Sequence, residues 1–246
     1  MSDRDDRILA HVGLYQLTLR CVLEELFFDG ANCGNVVQRL VAAKQLQIRE
    51  GLPDRLSYYQ LTRAEANRRG LPESRARALQ NQALHTALAV LWFCSMSSVK
   101  RHRLEPQDVD QFFPETIPAS IHCIERESDR HRLIRVKVVD PGSEDSSIIR
   151  SLRKAVFQTI ERPGLRPWVT TGHYSFGIIT ETTARVERIR QIIADDEQLS
   201  ASASFLVEQA PGVRTLKQAI HDRQPPAAQP KFRFASSEDE SKSRQC

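Results

Sequence analysis

The chain has 246 residues, 40% of them hydrophobic and 27% charged, the balance of an ordinary globular protein with length for one large domain or two smaller ones. The net charge is +4, too small to mark a general polyanion binder. No apolar run reaches the roughly 18 residues of a membrane span, because the best candidate, 83–96, is interrupted by His85 and Thr86.

The charged start MSDRDDR has no apolar stretch behind it, so no secretory leader is expected. Five cysteines (Cys21, Cys33, Cys94, Cys123 and Cys246) lack C-x-x-C spacing. They are expected to be reduced thiols of a cytoplasmic protein with no metal site and no cofactor. The charge is uneven. Residues 1–103 carry a net +5, residues 104–222 a net −3 and residues 223–246 a net +2. A polyanion is therefore expected on the first segment or the tail.

In chain order, Ile8, Leu9, Val12 and Tyr15 recur at helical spacing. A second helix from Thr18 carries Leu19, Val22, Leu23, Leu26 and Phe27 and stops at Asp29-Gly30. A third, from 32 or 33 to 43, turns Val36, Val37, Leu40 and Val41 inward and leaves Asn35, Gln38 and Arg39 outside. QLQIRE alternates with Leu46 and Ile48 inward, and LSYYQLT alternates again, so a turn at Leu52-Pro53-Asp54-Arg55 joins two strands. Helix, helix, helix, strand, turn, strand is the order of a winged helix-turn-helix, expected over residues 1–73.

A short helix capped by Thr62 closes at Gly70. Ser74 to Met96 reads as one long helix, apolar nearly all round in its second half, which must be buried between domains or in a homodimer. With the polar stretch after it, this helix forms a connection over 74–103. An α/β domain is expected over 104–221: a one-turn helix from Pro106 to Phe113-Pro114, strands SIHCIERES and RLIRVKVVD around Ser128-Asp129-Arg130, a helix buried through Ile148, Ile149, Leu152 and Val156, strand GHYSFGIIT, a helix capped by Thr180 or Thr182, and strand SASFLVEQ. Residues 222–246, rich in Pro, Ser and charge, are expected to be a disordered tail.

A helix in the major groove needs short donors and acceptors outward, with arginine for guanine or phosphate. Asn35, Gln38 and Arg39 supply that set. A wing needs cations near its tip, and Arg49 and Arg55 are placed there. Arg63, Arg68, Arg69, Arg75 and Arg77 could extend a phosphate track or simply be solvated. No phosphate loop, HExxH, GxSxG or Cys/His cluster is present. Of the seven histidines only His173, beside a strand, invites a closer look. A metal-dependent nuclease would need an acidic residue two before a lysine on one strand. Lys137 is in place, but Arg135 holds the acidic position, leaving Glu125 and Asp140 as the candidate carboxylates.

LSYYQLTRAEANRRGL resembles the wing and following helix of the replication-relaxation family of plasmids and other mobile elements, where a wing strand runs into a Y-x-L-T segment. RLIRVKVVD, the helix after it, GHYSFGIIT and the helix with Arg185 near its start resemble that family's second domain, which is similar to restriction-endonuclease-like folds. The likeness covers about residues 8–193. It implies sequence-specific or replication-linked binding of double-stranded DNA, without a defined reaction. The family often has an acidic residue where this chain has Arg135. The expectation is a non-catalytic regulator of replication or transcription, not membrane-bound, with the 74–97 helix open to use either as a homodimer interface or as an interdomain core. The alternatives are a divergent Mg-dependent nuclease and a protein-binding adaptor without nucleic acid.

Overall fold

A computed structural model describes residues 2–112, 120–127 and 130–223. Among these residues it is a mixed α/β structure with eleven α-helices, a two-stranded sheet and a five-stranded sheet. No helix is long and apolar enough to cross a membrane.

The N-terminal elements follow the hydrophobic periodicity. Helix α1 (Asp3–Tyr15) starts at a capping box in which the Ser2 hydroxyl accepts from the Asp5 amide and the Asp5 carboxylate from the Ser2 amide. It is followed by α2 (Arg20–Phe27) and α3 (Gly34–Ala42). Strands β1 (Leu46–Arg49) and β2 (Tyr58–Leu61) pair antiparallel around a 3-10 turn at Pro53–Arg55. Asp54 and Arg55 take positive φ there. Thr18 adds a third rung: its amide and carbonyl both bond Tyr59, at 2.9 Å each. This bridge is why α2 begins at Arg20 and not at Thr18. Helix α4 (Arg63–Arg68) is capped by Thr62 as expected.

The long helix expected from Ser74 is two elements. A 3-10 turn at Glu73–Ala76 is separated by extended residues from α5 (Asn81–Ser95). In a continuous helix the carbonyls of Ala76 and Arg77 would serve residues 80 and 81. Here the Ala76 carbonyl accepts from Gln47 and Arg49, and the Arg77 carbonyl from Gln60. The hairpin side chains hold the break open.

The stretch after α5, read as a polar linker, contains β3 (Arg101–Leu104). Then come α6 (Pro106–Phe112), β4 (Ile121–Glu127), β5 (Arg130–Val138), α7 (Asp145–Ile160), α8 (Arg166–Thr170), β6 (Tyr174–Thr180), α9 (Thr183–Asp195), α10 (Glu197–Ser202), β7 (Ser204–Gln209) and α11 (Leu216–Arg223). The sheet order is β3-β4-β5-β6-β7, antiparallel through β5 and parallel from β5 to β7. The expected turn residues Ser128 and Asp129 lie outside the described residues, as do Phe113-Pro114 and the expected tail beyond Arg223.

Both faces of the sheet are covered, and β6 is buried at every position. Ile134, Val136 and Ile179 pack with α5, whereas Leu133, Tyr174, Phe176 and Ile178 pack with α7, α8 and α9. At Gly177 an added Cβ would lie 2.8 Å from Ile134, so that close contact needs glycine. Leu84 to Met96 are all buried except Thr86. Their partners include Tyr15, Leu17, Leu19, Val22, Leu52 and Tyr58 from the N-terminal elements. The apolar surface of α5 from Leu84 on is thus covered by its own chain, which favours an internal core over a homodimer seam along this stretch.

Arg101 holds this arrangement. Its guanidinium donates to Glu125 on neighbouring β4 at 2.6 Å and to Glu208 on β7, the opposite edge strand, at 2.6 Å. It also donates to the Phe93 carbonyl and lies 4.1 Å from the centre of the Phe93 ring. One side chain reaches both edge strands because the sheet curls around α5. The Arg101 and Glu125 side chains are 1% and 2% exposed. Removing one partner of such a pair leaves a buried charge uncompensated. Arg101→Ala is expected to lower unfolding free energy by about 3–5 kcal/mol in urea denaturation, whereas Arg63→Ala, at an exposed pair, is expected to change it by less than about 1 kcal/mol.

Candidate nucleic-acid interface

Helix α3 presents Asn35, Gln38 and Arg39 to solvent on one face, while Val37 and Leu40 enter the core. The Arg39 guanidinium bonds Asp5 at 2.7 Å, yet its side chain remains 59% exposed. A cavity of about 330 Å³ opens between α3 and the hairpin, lined by Gln38, Gly34, Arg20, Tyr59 and Ile48 among others. Arg20 is held at its rim by Glu24 and Asn32. Lys44, exposed and at positive φ, ends the same helix.

Ile48 was expected inward with Leu46. It is 53% exposed, a correction: it keeps the face of Leu46 but borders the open cavity beside α3, where no side chain among the described residues covers it. The opposite face of β1 is taken by Gln47 and Arg49, which satisfy backbone carbonyls of the 73–77 turn; Gln47 also bonds the Leu61 carbonyl. The Arg49 guanidinium donates to Gln60 at 3.2 Å and to the Ala76 carbonyl at 3.1 Å. Arg49 is therefore a tie between hairpin and body, not a cation at a wing tip. Arg55 is exposed at the tip as expected, but the tip is anchored: Leu52 is buried in the α5 core and Leu56 packs against it.

The arginines that could have extended a phosphate track are mostly engaged. Arg63 pairs with Glu73, Arg68 with Glu65, and Arg69 with Glu65 and Asp6. Arg75 is buried, donating to the carbonyls of Gly13 and Leu14 and to Glu105. Among the described residues Arg77 has no ion-pair partner. The exposed cations around α3 and the hairpin are Arg39, Lys44, Arg55 and Arg20, of which composition and periodicity pointed only to Arg39 and Arg55.

The nuclease-type residues do not converge. Glu125 faces α5 and is neutralised by Arg101, with Arg132 at 3.6 Å. It stands opposite Arg132, five residues and about 16 Å along β5 from Lys137, and Lys137 points to the other face, where it bonds Ser151 of α7. Burial lowers the Lys137 ammonium below its ordinary range, and Arg135 adds to this against Asp140. Arg135, at the expected acidic position, reaches Thr159. Asp140 has one carboxylate oxygen buried without a hydrogen bond, but Glu125 is not within reach of it. Arg185, capped by Thr182 at the start of α9, bonds the carbonyls of Asp140, Pro141 and Ser143 and the Asp145 carboxylate. It fixes the β5–α7 turn.

His173 opens β6 and meets Trp168 edge-to-face at 6.0 Å. Two other histidines are structural. His11 bonds Thr18 at 3.3 Å, and His122 bonds the Tyr174 hydroxyl at 3.0 Å. Comparison with protein-family models, curated proteins and solved structures finds none that matches the chain.

Burial pushes His122 down to about 4, with Arg135 nearby acting in the same direction. Burial pushes His11 down to about 4 as well, with His102 contributing. Between the ordinary value near 6.5 and 4, the unfolded chain takes up protons that the folded chain refuses, so folding weakens as pH falls through that window. The urea midpoint is expected to drop from pH 7 to pH 5, and His122→Gln is expected to shrink that drop.

Proposed function

We propose that the chain is a double-stranded DNA-binding protein whose N-terminal helices and hairpin act as a winged helix-turn-helix, with α3 as the helix that enters the major groove. The observation that carries this reading is the α3 face. Three side chains with hydrogen-bonding ends, Asn35, Gln38 and Arg39, project together from one exposed helix surface. Beside them the exposed Ile48 offers an apolar contact of the kind that a thymine methyl takes. Arg20, Lys44 and Arg55 surround this face as phosphate contacts. The isolated Thr18 bridge to Tyr59, which ties the segment before α2 to the two-stranded hairpin, supports this reading.

The five-stranded sheet, an antiparallel triple continued by two parallel strands, supports a restriction-endonuclease-like second domain, in keeping with the resemblance to the replication-relaxation family. A role for it as scaffold and not as nuclease is supported by the separation of Glu125 from Lys137 and Asp140. Regulation of replication or transcription is the process this reading implies.

The test is selection of a duplex site from random sequence, followed by fluorescence anisotropy with the full chain. Arg39→Ala is expected to weaken the selected site about tenfold or more and to relax its sequence preference, since each good base contact contributes about 1–3 kcal/mol. Ile48→Asp, at an exposed position, is expected to weaken binding without changing the urea midpoint. Affinity should fall with rising salt. Salt-independent absence of binding to any duplex would sink the proposal, and an unchanged site preference in Arg39→Ala would sink the assignment of α3.

A further inference from the structure

A second polar cavity, of about 360 Å³, lies at the opposite part of the molecule, where β5, β6 and β7 begin. His131, Arg132, Thr171, His173 and Ser204 line it, and no carboxylate does among the described residues. Two imidazoles, a guanidinium and two hydroxyls without an acid form a site for an anion. Arg132 also lies 3.6 Å from Glu125, so it is a shared cation, and the imidazoles and hydroxyls supply hydrogen-bond donors beside it. His131 and Ser204 are exposed, which leaves the mouth open to solvent.

What distinguishes this site from a plain anion pocket is the aromatic ring at its edge. Trp168 touches His173 edge-to-face and is 40% exposed. Large apolar side chains on a surface are ordinary when scattered, but this indole adjoins a cavity lined by hydrogen-bond donors. Arg162 and Arg166 flank it in sequence. On α7, Arg150, Lys154 and Phe157 share one exposed helix stripe, with Phe157 61% exposed. Cations interleaved with exposed aromatics are the surface on which unpaired bases stack while their phosphates are held. A duplex hides its base faces, so an exposed indole can stack only on an unpaired base.

We infer that the cavity bordered by Trp168 binds a nucleotide unit of single-stranded DNA, its phosphate among His131, Arg132, His173 and Ser204 and its base on the indole. This site is separate from the α3 face and does not rest on the duplex reading. The volume matches one nucleotide unit, at the lower end of ordinary ligand pockets, and the open mouth fits a strand passing through.

Trp168 itself provides the readout. The chain has two tryptophans, and Trp92 is buried, so quenching of intrinsic fluorescence by an added strand reports on Trp168. Titration of the full chain with a thymidine oligomer is expected to quench it saturably. Ser204→Asp, which places a carboxylate in the mouth at an exposed position, is expected to weaken binding at least tenfold. In an anisotropy assay with labelled oligomer, Trp168→Ala is expected to weaken it about tenfold, the size of one lost base stack. Arg39→Ala should leave this titration unchanged, so failure here and failure of duplex binding are read separately. Absence of quenching overturns the inference, as does quenching that Ser204→Asp does not alter. If thymidine monophosphate binds as tightly as the oligomer, the assignment to a strand is overturned in favour of a free nucleotide. If inorganic phosphate competes as strongly as either, the base contact is refuted.

Discussion

The architecture depends on the buried guanidinium of Arg101. A sheet of five strands covering one helix must bend, and its two edges would otherwise be held only by apolar contacts. Arg101, on one edge strand, satisfies the carboxylates of Glu125 on the adjacent β4 and of Glu208 on the opposite edge, and lies against the Phe93 ring. A buried ion pair is not by itself a large source of stability, since desolvation offsets most of the attraction. Its effect is directional. It permits one curvature of the sheet and one depth of α5, and it penalises the alternatives with unpaired charge. Raising of the Arg101 pKa, against the opposing effect of burial and through Glu208 and Glu125, is consistent with a cation held firmly in its charged form.

The same logic governs the surface charge. The first 103 residues carry the basic excess, yet most of their arginines bond to something within the chain. Arg49 and Arg75 satisfy carbonyls, and Arg63, Arg68 and Arg69 satisfy acids. Arginine suits this role because its planar fork bonds several acceptors at once. What remains for a partner is a small set around α3 and the hairpin. A net charge by segment therefore overstates the phosphate-binding surface.

Where apolar periodicity decides structure, the sequence was informative. The helices α1 to α4, the hairpin, the cap at Thr182 and the alternation of strands and helices after residue 120 all follow from spacing and capping residues. The outward set on α3 was legible for the same reason. The misread helix has one cause: polar side chains acting on distant backbone. Ser74 to Met96 has the composition of one helix, and nothing local shows that Gln47, Arg49 and Gln60 will claim the carbonyls of Ala76 and Arg77. Ile48 does share the face of Leu46, as alternation requires, but it borders the open cavity beside α3 and is left uncovered there. β3 was missed because RHRL is polar, yet its leading arginine is buried. The cavity beside Trp168 joins residues from three separate segments, and only His173 offered a hint of it.

The continuity of the core around α5 bears on how the chain can be divided. Tyr15, Leu17, Leu19, Val22 and Tyr58 are buried in the same cluster as Leu88, Leu91 and the sheet residues Ile134 and Ile179. Arg75 extends the connection by joining α1 carbonyls to Glu105. A fragment ending at residue 73 would expose this surface to water and lose the turn that fixes its hairpin. The helices that offer Gln38 and Arg39 are thus not a detachable head on a stalk. The residues around them, from α1, α2 and the hairpin, share an interior with α5 and the sheet, whereas α3 itself packs through Val37 and Leu40 on α1, α2 and β1.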